Sequence, residues 1–415
     1  MILVLSMLVI AGFLFLTTNI SFLFKKSIHD DAKRYATKSC LVFYPDSKDG
    51  KKIAKEMCKG IEEDTIFDYS LVPYGDYYLV SYGNEYDYFV DKQYNPLVIG
   101  EVSDYGKRII ADYLRYTIKK EQPEKYYNAE FVASLNADNI NFDEVTYDIY
   151  QEYLKCSMPT YGVDVLVPLK YIQKEIGMNF NYMDETYVKQ TYIDPNHPVI
   201  AFTFDDGPKL WNSPDESSSV RIIDTLYKYD ATATFYVVGE CLEERDEWTD
   251  YQVYTFLSNS ITNGNEYGSH TQEHDELNDL SGSAITKVIN GPVEFIKDLV
   301  GYNMLTYRPP GGSYSDEIIE NSPLPAIYWS VDSEDWYCRD AQTIIDNVLS
   351  DNLVNGDVVL FHEIYDETAE AMEKLIPYLI DNGYQIVSVE QMFKYFDINL
   401  NTLHYFYNYY PKNYE

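Results

Sequence analysis

From about residue 198 onward, short apolar segments alternate with longer amphipathic segments. The apolar segments predict buried strands at 199–204, 232–238, 266–269, 306–308, 326–331, 358–361 and 385–389. The amphipathic segments predict helices at 217–229, 251–263, 283–300, 341–353 and 367–382. Such repetition predicts a parallel sheet with its functional residues at the carboxyl ends of the strands. About seven strands favour a distorted (β/α) barrel over a complete eightfold one.

Between residues 39 and 190 the pattern is that of an α+β accessory region. Strands are predicted at 40–44, 77–82, 86–90, 130–135 and 165–169, and helices at 51–62, 106–119 and 170–176. The strands 77–82 and 86–90 are close enough to form a hairpin. This region carries no recognisable catalytic motif. It could be a spacer or wall-binding module, or a structural domain without a ligand.

An uncharged segment at the amino terminus, residues 2–24, is long enough to span a bilayer. A cleaved signal peptide is the competing interpretation, but no small-residue cleavage site follows and the apolar run is long for one. We therefore expect a signal anchor over residues 1–26, a single pass through the cell membrane and an extracellular catalytic domain. Lys25 and Lys26 follow the span, which by the positive-inside rule favours the opposite orientation. A polar stalk is predicted for 27–38.

Proline marks the passage between the two halves of the chain. The segment 191–198 contains Pro195 and Pro198 and predicts a linker, and the catalytic domain is expected over 198–397. The last segment, 398–415, is rich in tyrosine and shows no core pattern. It could be a packed or frayed chain end, or it could present stacking surface to a sugar polymer.

Charge and cysteine content narrow the class of protein. The net charge of −35 argues against nucleic acid as a partner, whose phosphates require Lys and Arg, and against docking on anionic lipid. Solubility is the simplest role of this charge. The five cysteines include no CxxC pair, which argues against a zinc ribbon or a thioredoxin-like site. A disulfide such as Cys40 with Cys58 and idle thiols both stay open.

Two adjacent carboxylates, Asp205 and Asp206, follow the predicted strand 199–204 directly. Carboxylates at the end of a buried strand are costly unless something compensates them. Gly207 and Pro208 then force a turn, which leaves both side chains at the mouth of the sheet. A metal ion, or two roles in different environments, would compensate the pair. This segment is therefore the first candidate for chemistry.

A second strand end carries two imidazoles. His270 and His274 are spaced i and i+4 directly after the predicted strand 266–269, and on a helical turn both rings would face one side. This spacing alone is weak evidence, but the chain has only six histidines and Asp206 also lies at a strand end. Asp206, His270 and His274 together predict a metal site with open positions, suited to Zn²⁺ and also to Co²⁺ or Mn²⁺.

Three further strand ends add complementary groups. Arg308 begins an Arg-Pro-Pro-Gly-Gly loop and could orient a carboxylate, although an ordinary Pro-Gly turn is the better explanation of that element in isolation. Asp335 and Trp336 follow the predicted strand 326–331 and add a carboxylate with an aromatic wall. His362 follows the strand 358–361, where it could be a structural histidine or a general acid tuned by an aspartate.

The segment from about Pro198 to Phe396 resembles the catalytic domain of the polysaccharide deacetylases, carbohydrate esterase family 4. Five motifs match that family in order: Thr203-Phe-Asp-Asp-Gly-Pro208, His270-Thr-Gln-Glu-His274, Arg308-Pro-Pro310, Asp332-Ser-Glu-Asp-Trp336 and Leu360-Phe-His362. The match covers roughly half of the chain. The preceding region is similar, more loosely, to the accessory domains of membrane-anchored cell-wall enzymes.

The resemblance implies a role for each motif residue. Asp205 is expected to be the general base, and the three ligands predicted above are expected to hold the metal. Arg308 is expected to orient Asp205. His362 is expected to be the general acid, with its pKa tuned by Asp335.

The resemblance also implies which residues contact the substrate. Trp336 and Leu360 are expected to line the pocket for the acetyl methyl group, and the Pro310-Gly311 loop is expected to place a backbone N–H near the oxyanion. Two positions depart from the family pattern: Gly311 stands where an aromatic residue is common, and Glu363 stands where an aspartate is common. Neither departure removes a required group, but both bear on substrate preference.

These observations lead to the hypothesis of a metal-dependent hydrolase that removes N-acetyl groups from N-acetylglucosamine units of cell-wall peptidoglycan. Other substrates within the same class are N-acetylmuramic acid units, chitin-like oligomers and the O-acetyl groups of acetylxylan. An inactive glycan-binding domain is the alternative from a different class. The predicted anchor and accessory region favour the cell's own wall over a diffusible polymer.

Overall fold

The computed structural model describes residues 33–36, 40–44, 47–59, 67–82, 86–95, 97–150, 152–180, 182, 186–243, 248–400 and 403–406. Its contacts divide the chain into two compact units. Unit 1 comprises the residues up to 110 together with 141–185, and unit 2 comprises 111–140 together with 186 onward. The predicted signal anchor, 1–26, lies outside the described residues. Within the described ranges, no helix is both apolar enough and long enough to cross a bilayer.

The first part of the chain forms two sheets with helices between them. The strands are β1 Lys33–Ala36, β2 Cys40–Tyr44, β3 Phe67–Tyr74, β4 Tyr77–Tyr82, β5 Tyr86–Val90, β6 Thr146–Tyr150, β7 Tyr153–Met158 and β8 Val163–Pro168. The helices are α1 Lys48–Met57, α2 Asp104–Glu121, α3 Pro123–Tyr126, α4 Ala129–Ser134 and α5 Leu169–Ile172. Strands β1 to β5 pair in sequence order, with β2 parallel to β3 and the other pairs antiparallel. Strands β6 to β8 form an antiparallel meander.

Several local predictions for this part can be compared with the structure. The predicted hairpin is confirmed as β4 and β5. The prediction of a strand at 130–135 is wrong, because these residues belong largely to the helix α4. The Asn128 side chain accepts a hydrogen bond from the Phe131 N–H at 2.8 Å, and such an N-cap favours a helix. Residues 33–36, inside the predicted stalk 27–38, pair with β2 as an edge strand.

Unit 2 alternates strands and helices, as the apolar pattern predicts. Its strands are β9 Val199–Gly207, β10 Thr234–Val237, β11 Glu266–Ser269, β12 Ala326–Ile327, β13 Val331–Asp332, β14 Val358–His362, β15 Gln385–Val387 and β16 Tyr405–Phe406. Its main helices are α6 Ser218–Lys228, α7 Gly239–Glu243, α8 Asp250–Thr262, α9 Ser283–Val300, α10 Asp316–Asn321, α11 Asp335–Cys338, α12 Ala341–Ser350, α13 Asp366–Asp381 and α14 Val389–Tyr395.

The strands of unit 2 are all parallel and curve into a distorted barrel. The ladder runs β13-β14-β9-β10-β11 and continues through single bridges at Tyr307 to β12. Strands β12 and β13, at the two ends of this series, are separated by only the residues 328–330 along the chain. The two ends of the sheet are therefore brought together by the chain itself. The predicted barrel-like α/β fold is confirmed in this coarse form.

Two predicted strands are shorter than their apolar segments. The segment 306–308 contributes only bridges at Tyr307, because Pro309 and Pro310, which follow, have no N–H to donate to a ladder. The segment 326–331 is divided because its backbone changes partner: it bonds to β16 at one end and to β14 at the other. Both departures lie where the barrel is most distorted.

Near its carboxyl end, β9 has aromatic side chains on one face and polar side chains on the other. The Phe204 ring lies 5.1 Å from the Phe235 ring and 5.4 Å from the Phe361 ring, so three neighbouring strands share one aromatic row. Thr203 and Asp205 point to the opposite face, because successive strand residues alternate. The strongest packing in the sheet thus lies directly behind the candidate site.

The predicted linker, 191–198, is fixed to unit 2 by side chains. The Gln385 carboxamide accepts a hydrogen bond from the Asp194 N–H at 2.7 Å and donates to the Asp194 and His197 carbonyls at 2.8 and 2.9 Å. The His197 ring stacks on Tyr127 with 3.6 Å between centroids. This segment is therefore part of the packed fold rather than a free connector.

The described part of the predicted tail also packs on unit 2. Ile398, Leu400 and Leu403 lie against the core, and Phe406 is buried in it. Strand β16 pairs in parallel with β12. These contacts favour a packed chain end over a sugar-binding surface for 398–406, and residues 407–415 lie outside the described part of the chain.

A buried group of charges holds residues 111–140 within unit 2. Lys189 Nζ lies 2.5 Å from the Asp230 carboxylate, and both side chains are almost wholly buried. The Tyr126 hydroxyl donates a second bond to Asp230 at 2.6 Å. Burial raises the pKa of Asp230, but the charges of Lys189, Arg115 and Lys119 outweigh it and lower that pKa. The predicted accessory domain, 39–190, therefore includes a segment, 111–140, whose contacts are with unit 2.

We expect Lys189→Met to lower the free energy of unfolding by about 3 kcal/mol, because it leaves the buried Asp230 carboxylate without its nearest cation. Urea unfolding at neutral pH measures the change. Lys374→Met is the matched control, since Lys374 pairs with Glu370 at the surface and should lose less than about 0.5 kcal/mol. Equal losses in the two variants would contradict a structural role for the buried pair.

Candidate active site

A bulge at the end of β9 brings two adjacent aspartates to one side of the strand. Where β10 advances by two residues, from Phe235 to Val237, β9 advances by three. Asp206 lies in this irregular stretch and has a φ of 69°. Adjacent side chains in a regular strand point to opposite faces, and a bulge re-aims one of them. Asp205 and Asp206 can therefore both face His270.

The three predicted metal ligands lie together. Asp206 Oδ1 is 3.4 Å from His270 Nε2 and 3.5 Å from His274 Nε2. One ligand atom from each residue lies within 4.8 Å of the other two. Asp206 Oδ1 is buried and has no hydrogen-bond partner among the described residues, as expected of an atom that binds a ligand. One carboxylate oxygen and two imidazole nitrogens form a donor set that fits Zn²⁺, Co²⁺ or Mn²⁺.

Hydrogen bonds and charges around this cluster favour the protonation states that bind a cation. His270 Nδ1 is 2.9 Å from the Arg308 carbonyl oxygen; if it donates there, Nε2 is left unprotonated toward Asp206. Burial raises the pKa of Asp206, but the adjacent His270, with the charges of His362 and His274, outweighs it and lowers that pKa to about 2. Asp206 is therefore ionised at neutral pH.

The histidine pair does not lie on a helical turn, so this part of the prediction is wrong. Residues 270–276 form an irregular loop, in which Thr271 and His274 have φ values of 68° and 54°. The Asp275 N–H donates to the Thr271 hydroxyl at 2.7 Å, which closes the loop locally. The loop, rather than helical spacing, brings the second ring to Asp206. Backbone of this kind is common at functional sites.

Arg308 is a fully buried cation that uses its guanidinium to connect three segments. Its Nη1 donates to Thr203 Oγ1 at 2.8 Å and to Asp205 Oδ1 at 2.9 Å. Its Nε and Nη2 donate to the carbonyls of Ile327 and Tyr328 at 2.9 and 3.1 Å. Arginine was predicted to orient Asp205, and this geometry places the two in direct contact.

The second oxygen of Asp205 faces the ligand cluster. Asp205 Oδ2 is 3.7 Å from His270 Nε2, whereas Oδ1 is held by Arg308. The carboxylate is almost wholly buried. One of its oxygens is thus anchored, and the other is directed to the space beside Asp206.

Asp335 and His362 form a second polar pair on the other side of β9. Asp335 Oδ1 is 2.7 Å from His362 Nδ1, and Oδ2 accepts the His362 N–H and the Thr368 hydroxyl, each at 2.7 Å. Burial lowers the pKa of His362, but the hydrogen bond and charge of Asp335, with the charges of Asp205 and Asp206, raise it to about 9. His362 is in register with Asp205 on the neighbouring parallel strand, so the two residues lie at the same height along the sheet.

The predicted substrate-contacting residues differ in exposure. The Trp336 side chain is half exposed and its ring lies 5.8 Å from that of Tyr337. Leu360 is buried in β14 two residues before His362, so both side chains leave the strand on the same face. Pro310 is buried in a short turn, and Gly311 in that turn has a φ of 59°, which favours glycine there.

The sequence analysis missed the side chains that hydrogen-bond to the site residues and hold them in place. Thr203 accepts from Arg308, and Thr368 donates to Asp335. Thr203 was noted only as the first residue of its motif, and Thr368 lies on the helix after β14, so neither carries a local signal of such a role. Glu363 was noted as a departure, and its carboxyl group lies against Gly207, where any Cβ would collide with it. Burial and the charges of Asp206 and Asp205 raise the pKa of Glu363 to about 8.

Comparisons with known proteins agree with this geometry. The model of the polysaccharide deacetylase family matches residues 193–322. The chain is 36% identical to peptidoglycan-N-acetylmuramic acid deacetylase PdaC of Bacillus subtilis, over 49% of this chain and 40% of that protein. It is 32% identical to peptidoglycan-N-acetylglucosamine deacetylase PgdA of Listeria monocytogenes, over 47% of this chain and 38% of that protein.

A shorter relative is covered more completely. A peptidoglycan-N-acetylglucosamine deacetylase of Bacillus cereus is 32% identical over 48% of this chain and 70% of its own length. The chain spans about two fifths of the length of the two relatives named first. The regions of similarity cover about half of this chain, and the matched family segment includes the candidate ligands and Arg308. The chain therefore belongs to the polysaccharide deacetylase family.

Proposed function

We propose that the protein is a metal-dependent deacetylase that hydrolyses N-acetyl groups on the N-acetylglucosamine units of peptidoglycan. The main support for this proposal is that Asp205 and His362 lie on either side of the candidate metal ligands, each held by a different partner. Asp205 is held by Arg308 on one side, and His362 is held by Asp335 on the other. Between them lies the cluster of Asp206, with the two histidines of its loop.

Each side chain has a distinct part in amide hydrolysis. Asp206, His270 and His274 would hold the metal ion, which when bound lowers the pKa of a water molecule and polarises the acetyl carbonyl. Asp205 Oδ2 accepts the proton of the attacking water, because Oδ1 is held by Arg308. His362 then protonates the leaving nitrogen.

The proton inventory of this reaction balances. Water adds to the acetyl carbon, the carbon–nitrogen bond breaks, and acetate and a free amine leave. One proton of water goes to Asp205, and the amine takes its proton from Nε2 of His362, since Nδ1 faces Asp335. The second proton of water leaves with the acetic acid, which ionises to acetate. Return of the Asp205 proton to His362 through solvent restores both side chains. A raised His362 pKa keeps this nitrogen protonated at neutral pH.

The substrate assignment rests on the relatives and on the site. Two of the relatives described above act, by name, on N-acetylglucosamine of peptidoglycan, and one acts on N-acetylmuramic acid. The half-exposed Trp336 offers an apolar surface to a sugar ring or to the acetyl methyl group. Acetate release from peptidoglycan, N-acetylglucosamine oligomers and acetylxylan, with and without a chelator, tests the proposal. Acetate release that a chelator does not reduce, or no acetate release from any substrate, would contradict the proposed function.

We further propose that the enzyme works on the extracellular side of the cell membrane, anchored through residues 1–26. An uncharged segment of bilayer length supports the anchor. Cys58 is disulfide-bonded, and disulfides persist mainly in exported proteins. Among the described residues, Cys156, Cys241 and Cys338 are not part of a disulfide. Protease treatment of intact cells tests the orientation, since an enclosed catalytic unit would stay protected.

Asp206→Asn should abolish metal binding and acetate release together. The amide lacks the negative charge that offsets a divalent cation, so the loss of metal affinity should be at least about a hundredfold. Metal content of the purified protein, measured by elemental analysis, reports on binding. A variant that keeps both its metal and its activity would rule out the assigned ligand.

Asp205→Asn should separate metal binding from chemistry. We expect kcat to fall by about 10²- to 10⁴-fold, because the general base is lost, while the bound metal is retained. Asp215→Asn, an acid-to-amide change at an exposed position, is the matched control and should leave kcat unchanged. Loss of metal in Asp205→Asn would instead place this residue among the ligands.

Activity should decline at high pH as His362 loses its proton. Its pKa is raised to about 9, so the acid form is present below that pH and is lost above it. Asp335→Asn removes the charge that most raises this pKa and should move the alkaline limb of kcat/KM down by at least about one pH unit. A pH profile of acetate release measures both limbs. An unchanged alkaline limb would exclude His362 as the acid.

A further inference from the structure

An exposed arginine lies at the rim of the site, and no carboxylate in the described part of the chain pairs with it. The Arg339 guanidinium carbon lies 3.2 Å from the centre of the Tyr365 ring. The Tyr365 ring is in turn 5.8 Å from that of His362. Arg339 thus stacks on Tyr365, which in turn lies beside the proposed acid with its ring tilted by 41°. Nothing in the reaction described above requires Arg339.

The backbone places Arg339 at this position. It follows the short helix α11, which starts with Asp335, and has a left-handed conformation with φ 48° and ψ 42°. That conformation is uncommon for a residue with a Cβ. The turn between α11 and α12 therefore projects Arg339 across the loop that follows β14, where Tyr365 lies.

Two aspartates close to Arg339, one next to it in sequence and one at the end of this loop, are engaged elsewhere. Asp340 accepts the N–H and hydroxyl of Thr343, and Asp366 pairs with Lys209 at 2.8 Å. Within the described residues, no carboxylate lies at ion-pairing distance from the Arg339 guanidinium. This is notable in a chain with 67 acidic and 32 basic residues.

A guanidinium that stacks by its face keeps its in-plane N–H groups available. These donors match the two oxygens of a carboxylate. The chain as a whole carries a net charge of −35, which repels an anionic substrate. A cation at the rim offsets this repulsion locally.

We propose that Arg339, supported by Tyr365, binds a carboxylate of the glycan substrate and makes the enzyme select carboxylate-bearing acetylated glycans over neutral ones. The inference rests on the proposed deacetylase function. Two sources supply such a carboxylate in peptidoglycan: the lactyl ether of a peptide-free muramic acid unit, and the stem peptide of an intact strand. Both present the same chemistry to the guanidinium.

The test compares kcat/KM for acetate release from three substrates: a neutral N-acetylglucosamine oligomer, peptide-free glycan strands with lactyl carboxylates, and strands that carry stem peptides. In Arg339→Gln, the ratio of kcat/KM for a carboxylate-bearing substrate to that for the neutral oligomer should fall about five- to tenfold, mainly through KM. The preference in the parent enzyme should also weaken with added salt. The substrate whose ratio falls identifies the source of the carboxylate.

Two variants separate recognition from structure. Arg339→Lys keeps the charge but not the planar fork, so it should recover part of the ratio. Arg221→Gln is the matched control, since Arg221 pairs with Glu373 on the helices α6 and α13 and its loss should leave the ratio unchanged. Melting temperatures of all variants check that each one folds.

The outcomes distinguish this inference from the function on which it rests. Absence of acetate from all three substrates in the metal-loaded parent enzyme would overturn the deacetylase proposal itself. Activity on all three with the same ratio in Arg339→Gln as in the parent would overturn the role of Arg339 alone. A parallel fall on neutral and anionic substrates would also overturn it, because that result indicates that Arg339 only positions Tyr365 and His362.

Discussion

The candidate site depends on one buried cation, Arg308. Its guanidinium is wholly removed from solvent and would be strongly unfavourable there without partners. Asp205 supplies the compensating charge, and the carbonyls of Ile327 and Tyr328 accept two further N–H groups. The carbonyl of the same residue faces Nδ1 of His270 at hydrogen-bond distance. A single residue therefore fixes the proposed base and orients a proposed ligand, which ties the two halves of the site to one another.

This constraint explains how adjacent aspartates acquire different environments. Asp205 follows the regular alternation of β9 and contacts the buried guanidinium, whereas Asp206 lies in the bulge with a positive φ and faces the histidines. Asp206 could not face the same side as Asp205 in a regular strand, where the two side chains would lie on opposite faces. The neighbouring Gly207 is equally constrained, since the Glu363 carboxyl group occupies the space that a Cβ would need.

The sequence could predict the parallel barrel and the members of the site, because both depend on local signals. Apolar segments with flanking turns identified β9 and β14, and polar residues at their ends identified Asp205 and His362. The way in which these residues are brought together depends on contacts between positions far apart in the sequence, which leave no local signal. The histidine loop was predicted as a helical turn because spacing alone favours one. The contacts of 111–140 with unit 2 have no local signal because the charged partners of this segment lie far along the chain.

Charge balance gives a physical reason for a cation at this site. Of the three carboxylates that surround the reaction centre, Asp205 is balanced by Arg308 and Asp335 by a protonated His362. Glu363 has a raised pKa and is largely protonated at neutral pH, so it adds little charge. Asp206 is left with only two imidazoles, which must be neutral to act as ligands. Its negative charge, buried beside two nitrogen donors, is then best compensated by a metal ion bound at that place.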